Sequence, residues 1–114
     1  MGISQAEYED LQSRHRRVCL IQGGGQEVVI RAPTRAEYKV ARAAVHDPRQ
    51  IADAQEDLVR KLVVYCNGVS GDWATVVAAF DAMLETYPGF CESKVVGSKV
   101  NEFTGIEMAN SGKG

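Results

Sequence analysis

The chain has 114 residues, 45% of them hydrophobic and 25% charged, with a formal net charge of −2 and a pI near 5.7. This length suits one domain around a single core, and the balance is that of an ordinary globular protein. A weakly acidic chain has no general attraction for nucleic acid or an anionic membrane, and no apolar run approaches the ~20 residues that span a bilayer, so neither partner is expected.

The first segment, residues 4–16, can start a helix, because Ser4 and Glu7 have the spacing of a capping box. Its large apolar residues are Ile3, Tyr8 and Leu11, a thin stripe. A short, frayed helix or an arm that orders on contact is expected. The segment is polar and carries both signs of charge, unlike a signal peptide, so the expected compartment is the cytoplasm.

Val18-Cys19-Leu20-Ile21 and Glu27-Val28-Val29-Ile30-Arg31 are rich in strand formers and flank Gly23-Gly24-Gly25. Glycine reaches positive φ without steric cost, so the segment predicts a β-hairpin over 17–32. The glycines lead into a second strand rather than a helix, which argues against a phosphate loop.

Helices are expected over the rest. Thr34 with Glu37 forms a second capping box, opening a helix that runs to about His46, with Tyr38, Ala41 and Val45 on one face. Asp47-Pro48 breaks it and caps the next. That helix is read over 48–66, with Ile51, Ala54, Leu58, Leu62 and Tyr65 at helical spacing and Asn67-Gly68 as its stop. Val69-Ser70-Gly71 reads as a loop, and Asp72 caps a helix over 73–86. Tyr87-Pro88-Gly89-Phe90 reads as a turn, and a last helix is expected over 92–108.

The expected fold class is therefore α+β: an N-terminal β-hairpin followed by a bundle of about four helices. A short helical arm (1–16) precedes the single domain (17–108), and a disordered tail (109–114) follows it.

The chemistry-bearing residues are sparse and scattered. Cys19, Cys66 and Cys91 form no Cys-x-x-Cys pair and share no metal-ligand spacing with His15 or His46. Buried thiols are the expected state. Carboxylates such as Asp53, Glu56 and Asp57 read as the wet face of a helix. No catalytic residue, cofactor or metal is expected, and the protein is read as a binding protein rather than an enzyme. The candidate binding residues are the cations Arg14, Arg16 and Arg17, the hairpin residues Val28 and Ile30, and Trp73. The arginines offer an electrostatic handle, the hairpin an edge for strand addition to a partner or a second copy, and tryptophan is enriched in binding hot spots.

The order of these motifs resembles a known family. A hairpin is followed by the helix start Pro33-Thr34-Arg35-Ala36-Glu37-Tyr38, then a helix ending in the apolar stretch Leu62-Val63-Val64-Tyr65-Cys66. A helix beginning at Asp72, a Tyr87-Pro88-Gly89 turn and a helix ending near Thr104-Gly105 complete the series. From about Val18 to Ile106 the chain resembles the small tail assembly chaperones of long-tailed bacteriophages. The resemblance implies a non-catalytic helper that binds the tape measure protein and keeps it soluble while tail tube subunits polymerise around it. It also implies host cytoplasm, absence from the finished virion, and in many members a second, frameshifted length. A structural virion protein, acting in tail completion or head–tail joining, and a small cytosolic adaptor are the alternatives.

Overall fold

A computed structural model describes residues 3–44, 51–90 and 103–104. The elements are α1 (Gln5–His15), β1 (Val18–Gly23), β2 (Gln26–Arg31), α2 (Arg35–Ala44), α3 (Ile51–Leu62), β3 (Val63–Cys66), β4 (Val69–Ser70) and α4 (Trp73–Thr86). The strands form one antiparallel sheet in the order β1-β2-β3-β4.

The class is α+β, but the chain is not a hairpin followed by a helical bundle. Its order is helix, hairpin, helices, strands, helix. The difference arises at Leu62. The stretch Val63-Val64-Tyr65-Cys66, assigned above to the end of a helix, leaves α3 and becomes the strand beside β2. β-Branched and aromatic side chains suit a pleated surface better than a helix end. Tertiary need points the same way, because an isolated two-stranded hairpin is marginal and β2 requires a second neighbour. Asn67-Gly68, taken as a helix stop, is the two-residue turn of a second hairpin. Both residues have positive φ, 47° and 94°, as a type I′ turn requires. Gly24 and Gly25, with φ of 60° and 80°, make the equivalent turn between β1 and β2.

The sheet is covered on both faces. One face carries Cys19, Ile21, Val28, Ile30, Val63 and Cys66, which share a core with Leu58, Val59 and Leu62 of α3 and with Val76, Phe80 and Met83 of α4. The other carries Val18, Leu20, Val29, Val64 and Tyr65, against Ile3, Tyr8 and Leu11 of the N-terminal segment. A bulge in β3 permits this division. Val29 is opposite Tyr65 and Ile30 is opposite Val63, so Val64 is an extra residue. Val64 and Tyr65 both turn toward α1, while Val63 and Cys66 keep to the main core.

The central position of β2 explains its composition. Glu27, Val28, Val29 and Ile30 are buried in succession, because a strand covered on both sides reads as a continuous run rather than an alternation.

The helix caps follow the sequence. The Ser4 side chain accepts the Glu7 N–H at 3.1 Å, and the Glu7 carboxylate accepts the Ser4 N–H at 3.4 Å. Thr34 and Glu37 repeat the exchange at 3.2 and 2.9 Å. Asp72 accepts the Thr75 N–H and hydroxyl at the start of α4. The end of α3 is closed by tertiary contacts: Trp73 Nε1 donates to the Arg60 carbonyl at 2.8 Å and Arg31 to the Lys61 carbonyl at 3.2 Å. These occupy two of the carbonyls that a helix end leaves without partners. The helix read over 92–108 lies outside the described residues except for Phe103 and Thr104, which are helical. The tail at 109–114 lies outside them entirely.

Candidate protein-binding surface

The six candidate residues do not form one site. Val28 and Ile30 are fully buried in the main core, so they are not surface residues. The hairpin was expected to be thin and open. Pairing with β3 puts β2 at the centre of the sheet instead, and its apolar side chains are consumed by packing.

The three arginines stand close in sequence but do different things. Arg14 pairs with Asp10 one helical turn earlier, at 3.0 Å and well exposed. Arg16 ends α1 with φ 64° and ψ −60°, and the N–H of Arg17 donates to the His15 carbonyl at 2.6 Å. That is a γ-turn of positive central φ, a sparsely populated conformation. A non-glycine residue held in such a region costs of order 1–3 kcal/mol. Arg17 lies 4.7 Å from the centre of the Phe103 ring, and its Nη2 donates to the Phe103 carbonyl at 3.2 Å. It therefore fastens residue 103 to the start of β1.

Trp73 is 51% exposed, although its indole N–H is committed to the end of α3. With Val40 and Tyr87 it supplies the large exposed apolar side chains among the described residues. Beside it, a cleft of about 350 Å³ is lined by His15, Arg31, Glu37, Lys61, Val64 and Trp73. Burial lowers the pKa of His15, with a further lowering from Arg31 and Arg14 that Asp10 partly offsets.

A larger hollow lies on the α1 side of the sheet. It is about 630 Å³ in volume and is lined by Ile3, Tyr8, Arg17, Val18, Leu20 and Phe103. Of these, sequence reasoning selected Arg17 alone. The available signal was the alternation in β1: Val18 and Leu20 are apolar as well as Cys19 and Ile21, so both faces of the hairpin needed cover.

Glu27 is the polar centre of this second face. It is 8% exposed and accepts the Ile3 N–H at 2.7 Å, the Gln22 amide at 2.9 Å and the Tyr65 hydroxyl at 3.3 Å. Its own N–H donates to the side chain of Asn67 at 2.8 Å. A buried carboxylate needs such donors to offset its lost hydration.

Two ion pairs link elements of the fold. Arg31 and Glu37 form a two-pronged ion pair at 2.8 and 2.9 Å, joining β2 to α2. The Arg31 hydrogen bond, against some loss of hydration and helped by Thr34, brings the Glu37 carboxyl down to about 2. A carboxylate depressed in the folded state contributes stability that is present above its unfolded pKa and disappears as pH falls through its folded one. Glu37→Gln should therefore lower the free energy of unfolding measured by urea denaturation at neutral pH, by on the order of 1 kcal/mol after solvent screening. The gap between variant and parent should close between pH 4.5 and about 2. A gap that persists at the acid end would assign the loss to packing.

Arg60 and Asp81 make a second such pair, both contacts at 2.8 Å, joining α3 to α4. Cys66 is fully buried, and loss of hydration raises its thiol to about 11. Only thiolate is nucleophilic, so Cys66 should resist iodoacetamide near pH 8 in the folded protein and react once urea unfolds it. Peptide mapping of alkylated Cys66 under both conditions checks this.

Among the described residues, no group of three His, Cys, Asp or Glu gathers to hold a metal ion, and no helix is long and apolar enough to cross a membrane. No protein-family profile, curated protein or solved structure matches the chain.

Proposed function

We propose that this chain is a non-catalytic tail assembly chaperone of a long-tailed bacteriophage. It binds the tape measure protein in the host cytoplasm, keeps it soluble while tail tube subunits assemble, and is absent from the finished virion. The observation that carries this reading is the order of sequence motifs from Val18 to Ile106, which resembles that family.

Physical features support a binding role. Trp73, Tyr87 and Val40 offer exposed apolar surface, and Arg14 and Arg16 offer exposed charge. The strong ion pairs, Arg31–Glu37 and Arg60–Asp81, link elements of the fold. Long helical clients are held by apolar surface with a charged rim, the combination a holdase uses.

Co-expression with the longest helical protein encoded by a neighbouring gene should raise that protein's soluble yield and give a complex on a sizing column. Unchanged solubility with no complex would sink the proposal. Mass spectrometry of purified particles makes a second test: a stoichiometric amount of this chain would make it a structural virion protein instead.

A further inference from the structure

We infer that α1 is a displaceable strap, and that the sheet face beneath it is the docking surface for an amphipathic helix of a partner protein. This deepens the chaperone reading and rests on it for the identity of the partner.

Three observations lead there. The first is how little holds α1. Leu11 is the buried residue of this helix, and Ile3 and Tyr8 are partly buried beside it, whereas α4 buries Val76, Val77, Phe80, Met83 and Leu84. Among the described residues, the polar tie from this segment to the sheet is the Ile3 N–H on Glu27. The 630 Å³ hollow at its flank shows that α1 does not fill the face it covers.

The second is the hinge. The γ-turn at Arg16 links α1 to β1 in a conformation that persists only while surrounding contacts impose it. Undocking α1 lets Arg16 relax, so the strap is biased toward release.

The third is the chemistry of the face. Glu27, Val29 and Arg31 alternate along β2 and so share the side that faces α1. A carboxylate stands at one end and, at the other, a guanidinium already paired with Glu37, their backbone positions about 13 Å apart at strand spacing. That spans about nine residues of helix. A helix is positive at its N-terminal end and negative at its C-terminal end, so this row favours one running from Glu27 toward Arg31. The present occupant runs in that direction: Ile3, just before α1, meets Glu27, and His15 at its end lines the same cleft as Arg31. Val29 and Tyr65 are already buried beneath α1, but Val18, Leu20 and Val64 are only partly so, and a partner helix with a fuller apolar stripe would bury those three more completely.

The test uses the full chain. Backbone amides of α1 should exchange with deuterium at least about tenfold faster than those of α4, through local opening rather than global unfolding. Leu11→Ala should speed exchange in α1 without moving α4, and Arg16→Gly should slow it, since glycine accepts positive φ. Binding of a labelled, charge-balanced Leu/Glu/Lys amphipathic peptide should follow the open fraction. It should tighten about tenfold in Leu11→Ala and weaken about threefold in Arg16→Gly, as expected when affinity scales with the competent population. Equal exchange of α1 and α4 in the parent protein, or unaltered peptide binding in both variants, overturns the inference. The co-expression result is separate. If peptide binding follows the strap while tape measure solubility is unaffected, the partner assignment fails and the strap stands.

Discussion

Ile30→Asp should abolish the fold. Ile30 is fully buried at the centre of the sheet, opposite Cys19 on one side and Val63 on the other. A carboxylate placed there loses its hydration among apolar side chains, at a cost of several kcal/mol or more. That is comparable with the entire stability of a small domain, about 5–15 kcal/mol. Far-UV circular dichroism should show an unfolded or aggregated chain, while Ile30→Val should stay folded and lose only about 1 kcal/mol. The pair separates two views of this residue. Were Ile30 a surface contact for a partner, the aspartate variant would remain soluble and folded and lose binding alone.

Phe80→Ala should be the most damaging of the simple truncations. Phe80 is the largest of the fully buried side chains and lies in the cluster that joins α4 to the sheet and to α3. Removing the ring forfeits its transfer free energy and leaves a cavity that a sheet covered on both faces cannot easily close. The expected loss is about 3–5 kcal/mol by urea unfolding, with the slope of the transition unchanged. A loss below about 1 kcal/mol would mean that α4 is not fastened to the sheet through this side chain.

Much of the local structure is legible in the sequence. The capping boxes at Ser4–Glu7 and Thr34–Glu37 form as their spacing predicts, and Asp72 caps α4. The β1–β2 hairpin turns on Gly24-Gly25, and α4 spans the expected 73–86. The boundary at Leu62 was not legible by periodicity. Leu58, Leu62 and Tyr65 fit a helical repeat, and a short apolar run is ambiguous between strand and helix. The signals that decide it are the β-branched pair Val63-Val64 and the Asn67-Gly68 dipeptide, which is a hairpin turn as readily as a helix stop.

The binding surface was less legible, for a related reason. Whether an apolar residue is core or surface depends on what covers it. Val28 and Ile30 looked available on an open hairpin and are buried once β3 and α4 are in place. The N-terminal segment looked like an arm because its stripe is thin, and that judgement of its apolar content stands. What it packs against, and the strained turn at Arg16, come from the path of the chain.

Composition and local pattern thus determined the helix caps, the first hairpin, the core face of α4 and the α+β class, because each depends on interactions within a few residues. The tertiary structure alone decided that residues 63–66 form a strand, that the sheet has two covered faces, and that Glu27, Val29 and Arg31 lie in a row beneath α1. Those outcomes depend on which distant segment supplies the partner for each backbone edge and apolar face, and no short-range pattern carries that information.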